Sequence, residues 1–91
     1  MAKKQPKTIL GELLNQELPS AEKATFITEY AGSYYFLIMS ENCPDGIVQF
    51  FNSEYCGLSL HCYTPIQGLV NSRLINAFEK VATTYNNSME K

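Results

Sequence analysis

Positive charge is missing from the middle of this sequence: from Ala24 to Ser72 there is no lysine and no arginine. Proteins that bind nucleic acid hold its phosphate groups with lysine and arginine side chains. The absence therefore argues against a nucleic-acid-binding surface in this stretch. It favours a protein partner with a basic surface, because four acidic residues lie in the same stretch with only His61 as a possible base. These acidic residues are Glu29, Glu41, Asp45 and Glu54.

Long apolar runs are missing as well. No stretch approaches the roughly 18 apolar residues of a transmembrane helix, and no signal peptide follows the N-terminal lysines. The three cysteines are an odd number, which suits free thiols in a reducing compartment. We therefore expect a cytoplasmic protein that does not bind membranes. A chain of 91 residues can build one small core, and so thin a core favours a homodimer.

Motifs for catalysis or metal binding are also absent: the sequence has no glycine-rich phosphate loop and no closely spaced Cys-x2-Cys pair. Cys43, Cys56, His61 and Cys62 are the candidate zinc ligands, but neighbouring residues on a strand point to opposite faces, which separates His61 from Cys62. A cysteine-dependent enzyme, in which His61 activates Cys56, is an alternative. We instead expect the cysteines to pack as small buried apolar residues, and we predict neither enzyme activity nor a cofactor.

The first third of the chain predicts a tail, a helix and a strand. Residues 1–7 are polar and basic, as in a flexible tail. Thr8 is predicted to cap a short amphipathic helix that Pro19 ends. Thr25–Tyr30 is rich in β-branched and aromatic residues and predicts a strand, and a helix from Ser20 to Ala31 is the alternative.

The apolar middle of the sequence predicts the sheet. Tyr34–Met39 is an unbroken apolar run, typical of a central strand that is covered on both faces. Pro44–Gly46 has the chemistry of a β-turn that leads into a returning strand at Ile47–Phe51. Leu58–Tyr63 alternates as a strand with one buried face. In that strand Leu58, Leu60 and Cys62 are predicted to point inward, and Ser59, His61 and Tyr63 outward.

The last part of the chain predicts a second amphipathic helix. Thr64, Pro65 and Gln67 have the residue types and spacing of a helix start with a capping box. A single domain is expected over residues 8–87, and residues 88–91 are expected to fray. The predicted fold class is α+β: one small domain with an N-terminal helix, an antiparallel sheet of three or four strands, and a C-terminal helix packed on one face of the sheet.

Tyrosine and phenylalanine are more abundant in the predicted sheet than its thin core can hold, and exposed tyrosine is typical of protein interfaces. We therefore expect a stoichiometric protein-binding module: an inhibitor, adaptor or chaperone-like accessory protein, such as those of phages and mobile elements. It would bind through an acidic, tyrosine-rich sheet face or through the helix seam. Nucleic-acid binding by the sheet aromatics and the lysine-rich tail is an alternative. The predicted partner-binding residues are Tyr34, Tyr35, Tyr55, His61, Tyr63, Glu29, Glu41 and Glu54.

Overall fold

The computed structural model describes residues 5–66 and 72–89. They form one small α+β domain in which a helix, a four-stranded antiparallel sheet and a second helix follow one another, as the sequence predicts. The strands are hydrogen-bonded in chain order, so each is joined to the next by a hairpin. The elements are α1 (Pro6–Glu17), β1 (Glu22–Tyr30), β2 (Ser33–Ser40), β3 (Cys43–Ser53), β4 (Gly57–Pro65) and α2 (Ser72–Met89).

Both helices pack on the same face of the sheet. A chain of edge-to-face aromatic contacts runs through the core from β2 through β3 to α2: the ring centroids of Phe36 and Phe50 are 6.4 Å apart, as are those of Phe50 and Phe78. Such contacts add to the stabilisation that burial of the rings supplies. The remaining fully buried side chains come from the apolar stripe of each helix and the facing side of the strands. They are Leu10, Leu14, Ile38, Val48, Leu74 and Val81.

Helix α1 begins two residues before the predicted cap at Thr8. Gln5 is the N-cap residue and Pro6 occupies the first turn, where the missing N–H of proline costs nothing. The Gln5 carbonyl accepts hydrogen bonds from the N–H groups of Thr8 and Ile9, at 2.9 and 3.1 Å. The residues predicted as a flexible tail therefore include the start of the helix. No described helix is long and apolar enough to cross a membrane.

The strand predicted at Thr25–Tyr30 is confirmed, and it begins earlier, at Glu22. The hairpin between β2 and β3 is also confirmed, but its turn is not at Pro44–Gly46. The turn residues are Glu41 and Asn42, with φ of 50° and 70°, and Pro44–Gly46 already pairs with β2. Two consecutive positive φ values match the twist of a tight hairpin, and asparagine tolerates this conformation well.

A β-bulge reverses the predicted faces at the end of β4. Gln49 pairs with Cys62 and Phe50 pairs with Leu60, so His61 is an extra residue on β4. One extra residue shifts the alternation of every side chain after it. The predicted orientation is therefore wrong from this point. Cys62 is exposed, while the ring of Tyr63 packs on the helix side against Phe78, with centroids 5.2 Å apart.

The helix start predicted at Thr64 and Pro65 is wrong, because both residues belong to β4. Thr64 pairs with Ile47, and the N–H of Ile66 donates to the Asp45 carbonyl at 2.9 Å. Pairing with β3 thus outweighs the local capping preference. Gln67 lies outside the described residues. Helix α2 extends to Met89, two residues past the predicted end of the domain.

Each helix also holds one edge strand through an asparagine. The Asn15 amide accepts from the N–H of Ala24 at 3.0 Å and donates to its carbonyl at 3.2 Å. On the opposite edge, the Asn86 amide accepts from the N–H of Leu58 at 2.8 Å and donates to the Leu58 carbonyl at 2.7 Å. These side chains thus satisfy backbone groups that an edge strand otherwise leaves without a partner. We call the two contacts the asparagine clips.

Candidate functional site

Within the described residues, no element covers the face of the sheet opposite the helices. The strand register places its side chains in rows across all four strands: one row holds Thr25, Leu37, Ile47 and Thr64. We call this surface the open face. Its other rows are Thr28, Tyr35, Gln49 and Cys62, and then Tyr30, Ser33, Phe51 and Ser59.

The open face carries both apolar and polar side chains on its two central strands. Ile47 and Phe51 of β3 are 37% and 39% exposed. Gln49 lies between them on β3 and donates a hydrogen bond to the Ser33 Oγ atom at 3.1 Å. The sequence predicts β2 to be covered on both faces, but within residues 5–66 and 72–89 only the helix side is covered, and Tyr35 on the open face is half-buried. The face thus combines exposed apolar side chains with a polar centre.

Formal charge is nearly absent from the open face. Among the described residues, the one charged side chain on this face is that of Lys23, which pairs with Met39 at a corner of the sheet. The four acidic residues of the middle segment lie elsewhere. Glu29 is opposite Tyr34 on the helix side, Asp45 is close to Tyr63 on the helix side, and Glu41 and Glu54 lie in turns.

One end of the sheet combines exposed tyrosine with acidic groups. The turn after β1 contacts the end of β3 there, through a 2.9 Å hydrogen bond from the N–H of Asn52 to the Gly32 carbonyl, and the turn after β3 follows at the same end. Tyr30 is 75% exposed and Tyr55 is 95% exposed. Glu29 precedes Tyr30 and Glu54 precedes Tyr55 in the sequence. The described residues of these two turns include no basic side chain. We call Glu29, Tyr30, Glu54 and Tyr55 the tyrosine end.

The structure does not bring the eight predicted partner-binding residues together on one surface. Tyr34 is buried in the core, and Tyr63 packs under α2. Tyr35 lies on the open face, and His61 is exposed at the bulge of β4. Glu29, Glu54 and Tyr55 belong to the tyrosine end, and Glu41 lies in the turn at the opposite end of the sheet.

The Tyr63 side chain lies beneath α2, close to Gly46 and to the carboxylates of Asp45 and Glu22. A Cβ atom at position 46 would be 2.5 Å from the Tyr63 Oη atom, so only glycine fits there. Burial raises the pKa of Tyr63 to about 12, and the nearby carboxylates of Asp45 and Glu22 act on it in the same direction. Glu22 also pairs with Arg73 at 3.1 Å and so joins the start of β1 to the start of α2.

We expect the protein to lose stability in alkali because of Tyr63. The pKa of a tyrosine is ordinarily 10.0 and that of folded Tyr63 is about 12. The contribution of the neutral Tyr63 side chain to the free energy of unfolding is therefore complete below pH 10 and is lost as the pH rises through 12. Burial also raises the pKa of Tyr34 and Tyr85, which adds to the loss. Absorbance titration checks this, because the sequence has no tryptophan. Tyr63→Phe should remove a transition near pH 12, and an unchanged curve would contradict the assignment.

The three cysteines are exposed free thiols, so the prediction that they are buried is wrong. Cys62 points to the open face, where its thiol is 3.6 Å from the Gln49 Oε1 atom. Among the described residues, no group of three or more His, Cys, Asp or Glu side chains is arranged to hold a metal ion. A shallow cleft at the corner beside Lys23 and Glu41 contains neither a cysteine nor a histidine.

The residues that sequence reasoning missed are the exposed Tyr30 and the two clip asparagines. Tyr30 ends β1 and follows the alternation of that strand only once the bulge at Ile27 is counted. Asn15 and Asn86 carry no distinctive local signal, because their partners are distant backbone groups. No protein-family model, no curated protein and no solved structure matches this chain.

Proposed function

We propose that this chain is a small protein-binding module that acts by stoichiometric binding, as an inhibitor, adaptor or chaperone-like accessory protein. The observation that carries the proposal is the open face, a sheet surface with exposed apolar and aromatic side chains that no described element covers. Monomeric soluble proteins rarely expose large apolar patches that have no partner. Aromatic side chains such as Phe51 and Tyr35 are enriched in such interfaces, whereas charged groups are depleted from their centres.

The tyrosine end supports a partner with a basic surface. Tyr30 and Tyr55 are large, exposed and able to combine apolar contact with a hydrogen bond, as interface tyrosines do. The carboxylates of Glu29 and Glu54 would attract lysine or arginine on the partner and speed the encounter. A second copy of the chain is the other expected partner. A reducing, cytoplasmic location suits the three free thiols.

We expect Glu54→Lys to weaken partner binding about tenfold at low salt and to flatten its salt dependence, because it replaces an attraction with a repulsion. The measurement is the affinity of the protein that co-purifies with the wild-type chain from its native host, titrated at several ionic strengths. Glu79→Lys on the exposed side of α2 is the matched control, since it changes the net charge equally. Equal affinity for both variants would contradict a role of the tyrosine end.

A further inference from the structure

We infer that the open face closes on a second copy of this chain, sheet against sheet. The inference rests on the proposed function of the open face as a protein-contact surface, and it names one occupant of that face. Three independent features carry it: the lack of charge on the face, the area that the face offers, and the closure of the sheet edges.

The distribution of charge permits self-association through this face. The chain has a formal net charge of −2, and contacts between the acidic turns of two copies would oppose like charges. The open face avoids this, because Glu41 and Glu54 lie in turns while Glu29 and Asp45 lie on the helix side. Two copies can therefore meet face to face with uncharged rows in the centre. A partner of high charge would leave its charges unpaired against those rows.

The area of the face is sufficient for a dimer. Four strands about 4.8 Å apart and about eight paired residues long, at roughly 3.3 Å per residue, cover a projected area of roughly 500 Å². Two copies would together bury at least about 1,000 Å², which reaches the lower size limit of a specific interface. Stacked sheets pack about 10 Å apart, a spacing that side chains such as Ile47 and Leu37 can fill.

The edges of the sheet are poor alternatives for self-association. Pairing of a second copy along β1 or β4 needs free backbone N–H and C=O groups at the edge. The clip of Asn15 occupies those groups at Ala24, and the clip of Asn86 occupies them at Leu58. Both edge strands also contain a bulge, at Ile27 and at His61, which disturbs regular pairing. The open face is therefore a better surface for contact with a second copy than either edge of the sheet.

The test uses opposite charges at one position of the face. Wild type, Ile47→Lys and Ile47→Glu are compared by sedimentation equilibrium in reducing buffer from about 1 to about 500 µM, a range chosen because interfaces near the lower size limit can have micromolar affinity. We expect dimers of the wild type and a dissociation constant at least about 100-fold weaker for each variant alone, because symmetry buries the same charge twice. A mixture of the two variants should recover the dimer.

Two controls separate the loss of the interface from the loss of the fold. Thr83→Lys, exposed on α2, should dimerise like the wild type, and circular dichroism should show the same folded spectrum for every variant. If Ile47→Lys does not fold, Ser59→Lys and Ser59→Glu give the same comparison at an exposed position of the face. Lysine variants at either position that dimerise as tightly as the wild type would overturn the inference.

The inference and the proposed function can fail separately. A wild-type chain that stays monomeric over the whole range overturns the dimer, while a partner whose affinity depends on Glu54 still supports the binding function. A dimer that Ile47→Lys abolishes supports the inference even if the host yields no further partner.

Discussion

Replacing Phe50 with alanine is expected to lower the free energy of unfolding by about 4 kcal/mol, because truncation of a buried ring loses its burial and leaves a cavity. Phe50 is fully buried and stands between Phe36 on β2 and Phe78 on α2, with ring centroids 6.4 Å from each. The cavity therefore forms at the point where sheet and helix meet. A small domain has a total stability of roughly 5–15 kcal/mol, so the variant should lose between about a quarter and most of it.

The neighbouring Phe51 provides the matched control for this experiment. Phe51→Ala removes the same side chain one residue later on the same strand, but from the open face, where the ring is 39% exposed. We expect a cost of about 1 kcal/mol for this variant, measured by urea denaturation at a protein concentration low enough to keep the chain monomeric. Similar costs at the two positions would mean that the faces of β3 are assigned incorrectly.

The fold class followed from the sequence because its main signals agree with the tertiary structure. The strand at Thr25–Tyr30 is rich in β-branched and aromatic residues, and the later part of α2 has a wide apolar stripe. The turn between β1 and β2 contains Gly32, whose φ of 85° is a conformation that glycine adopts without strain. In these places the local preference of the chain and its packing favour the same conformation.

The faces of the strands could be predicted only as far as the first bulge. Sequence alternation assumes that each residue opposes one partner, but Ile27 and His61 are extra residues whose positions depend on the neighbouring strand. The start of α2 was mispredicted for a related reason. Thr64 and Pro65 are good helix-starting residues, yet the pairing of β4 with β3 continues through both of them. Long-range pairing thus decides the cases in which local signals mislead.

The candidate site was predictable in its composition rather than in its layout. The sequence identifies an apolar and tyrosine-rich middle without lysine or arginine, and a part of these residues lies on the open face and at the tyrosine end while the rest fills the core. It does not show that tyrosine and acidic groups separate in the fold. Tyr34 and Tyr63 turn toward the helices, and the acidic side chains lie in turns or on the helix side. The result is an uncharged face with charge at its ends.

The asparagine clips connect the stability of the domain with the state of its two sheet edges. Asn15 and Asn86 belong to different helices, yet each makes the same two hydrogen bonds to the outer backbone of an edge strand. The clips therefore hold each helix in place, and at Ala24 and Leu58 they occupy the outer backbone groups that pairing with another strand would need. None of the residues in the two clips belongs to the rows of the open face.

Asn86→Asp is expected to lower the free energy of unfolding by about 2–3 kcal/mol, although the two side chains have nearly the same shape. The Asn86 Nδ2 atom donates to the Leu58 carbonyl at 2.7 Å, and aspartate would place a second acceptor against that oxygen. The site has little room to adjust, because Gly57 has a φ of 80° and a Cβ atom there would lie 2.7 Å from the Asn86 Oδ1 atom. Denaturant titration at neutral pH measures the effect.

Asn87→Asp is the control, because it introduces the same charge one residue later at an exposed position of the same helix end. The unfavourable interaction of a carboxylate with the C-terminal end of the helix is common to both variants, so their difference reports the clip. The difference should shrink below about pH 4, where a protonated aspartic acid can again donate a hydrogen bond to the Leu58 carbonyl. A difference that is absent at neutral pH, or that grows in acid, would show that this hydrogen bond does not hold α2 to β4.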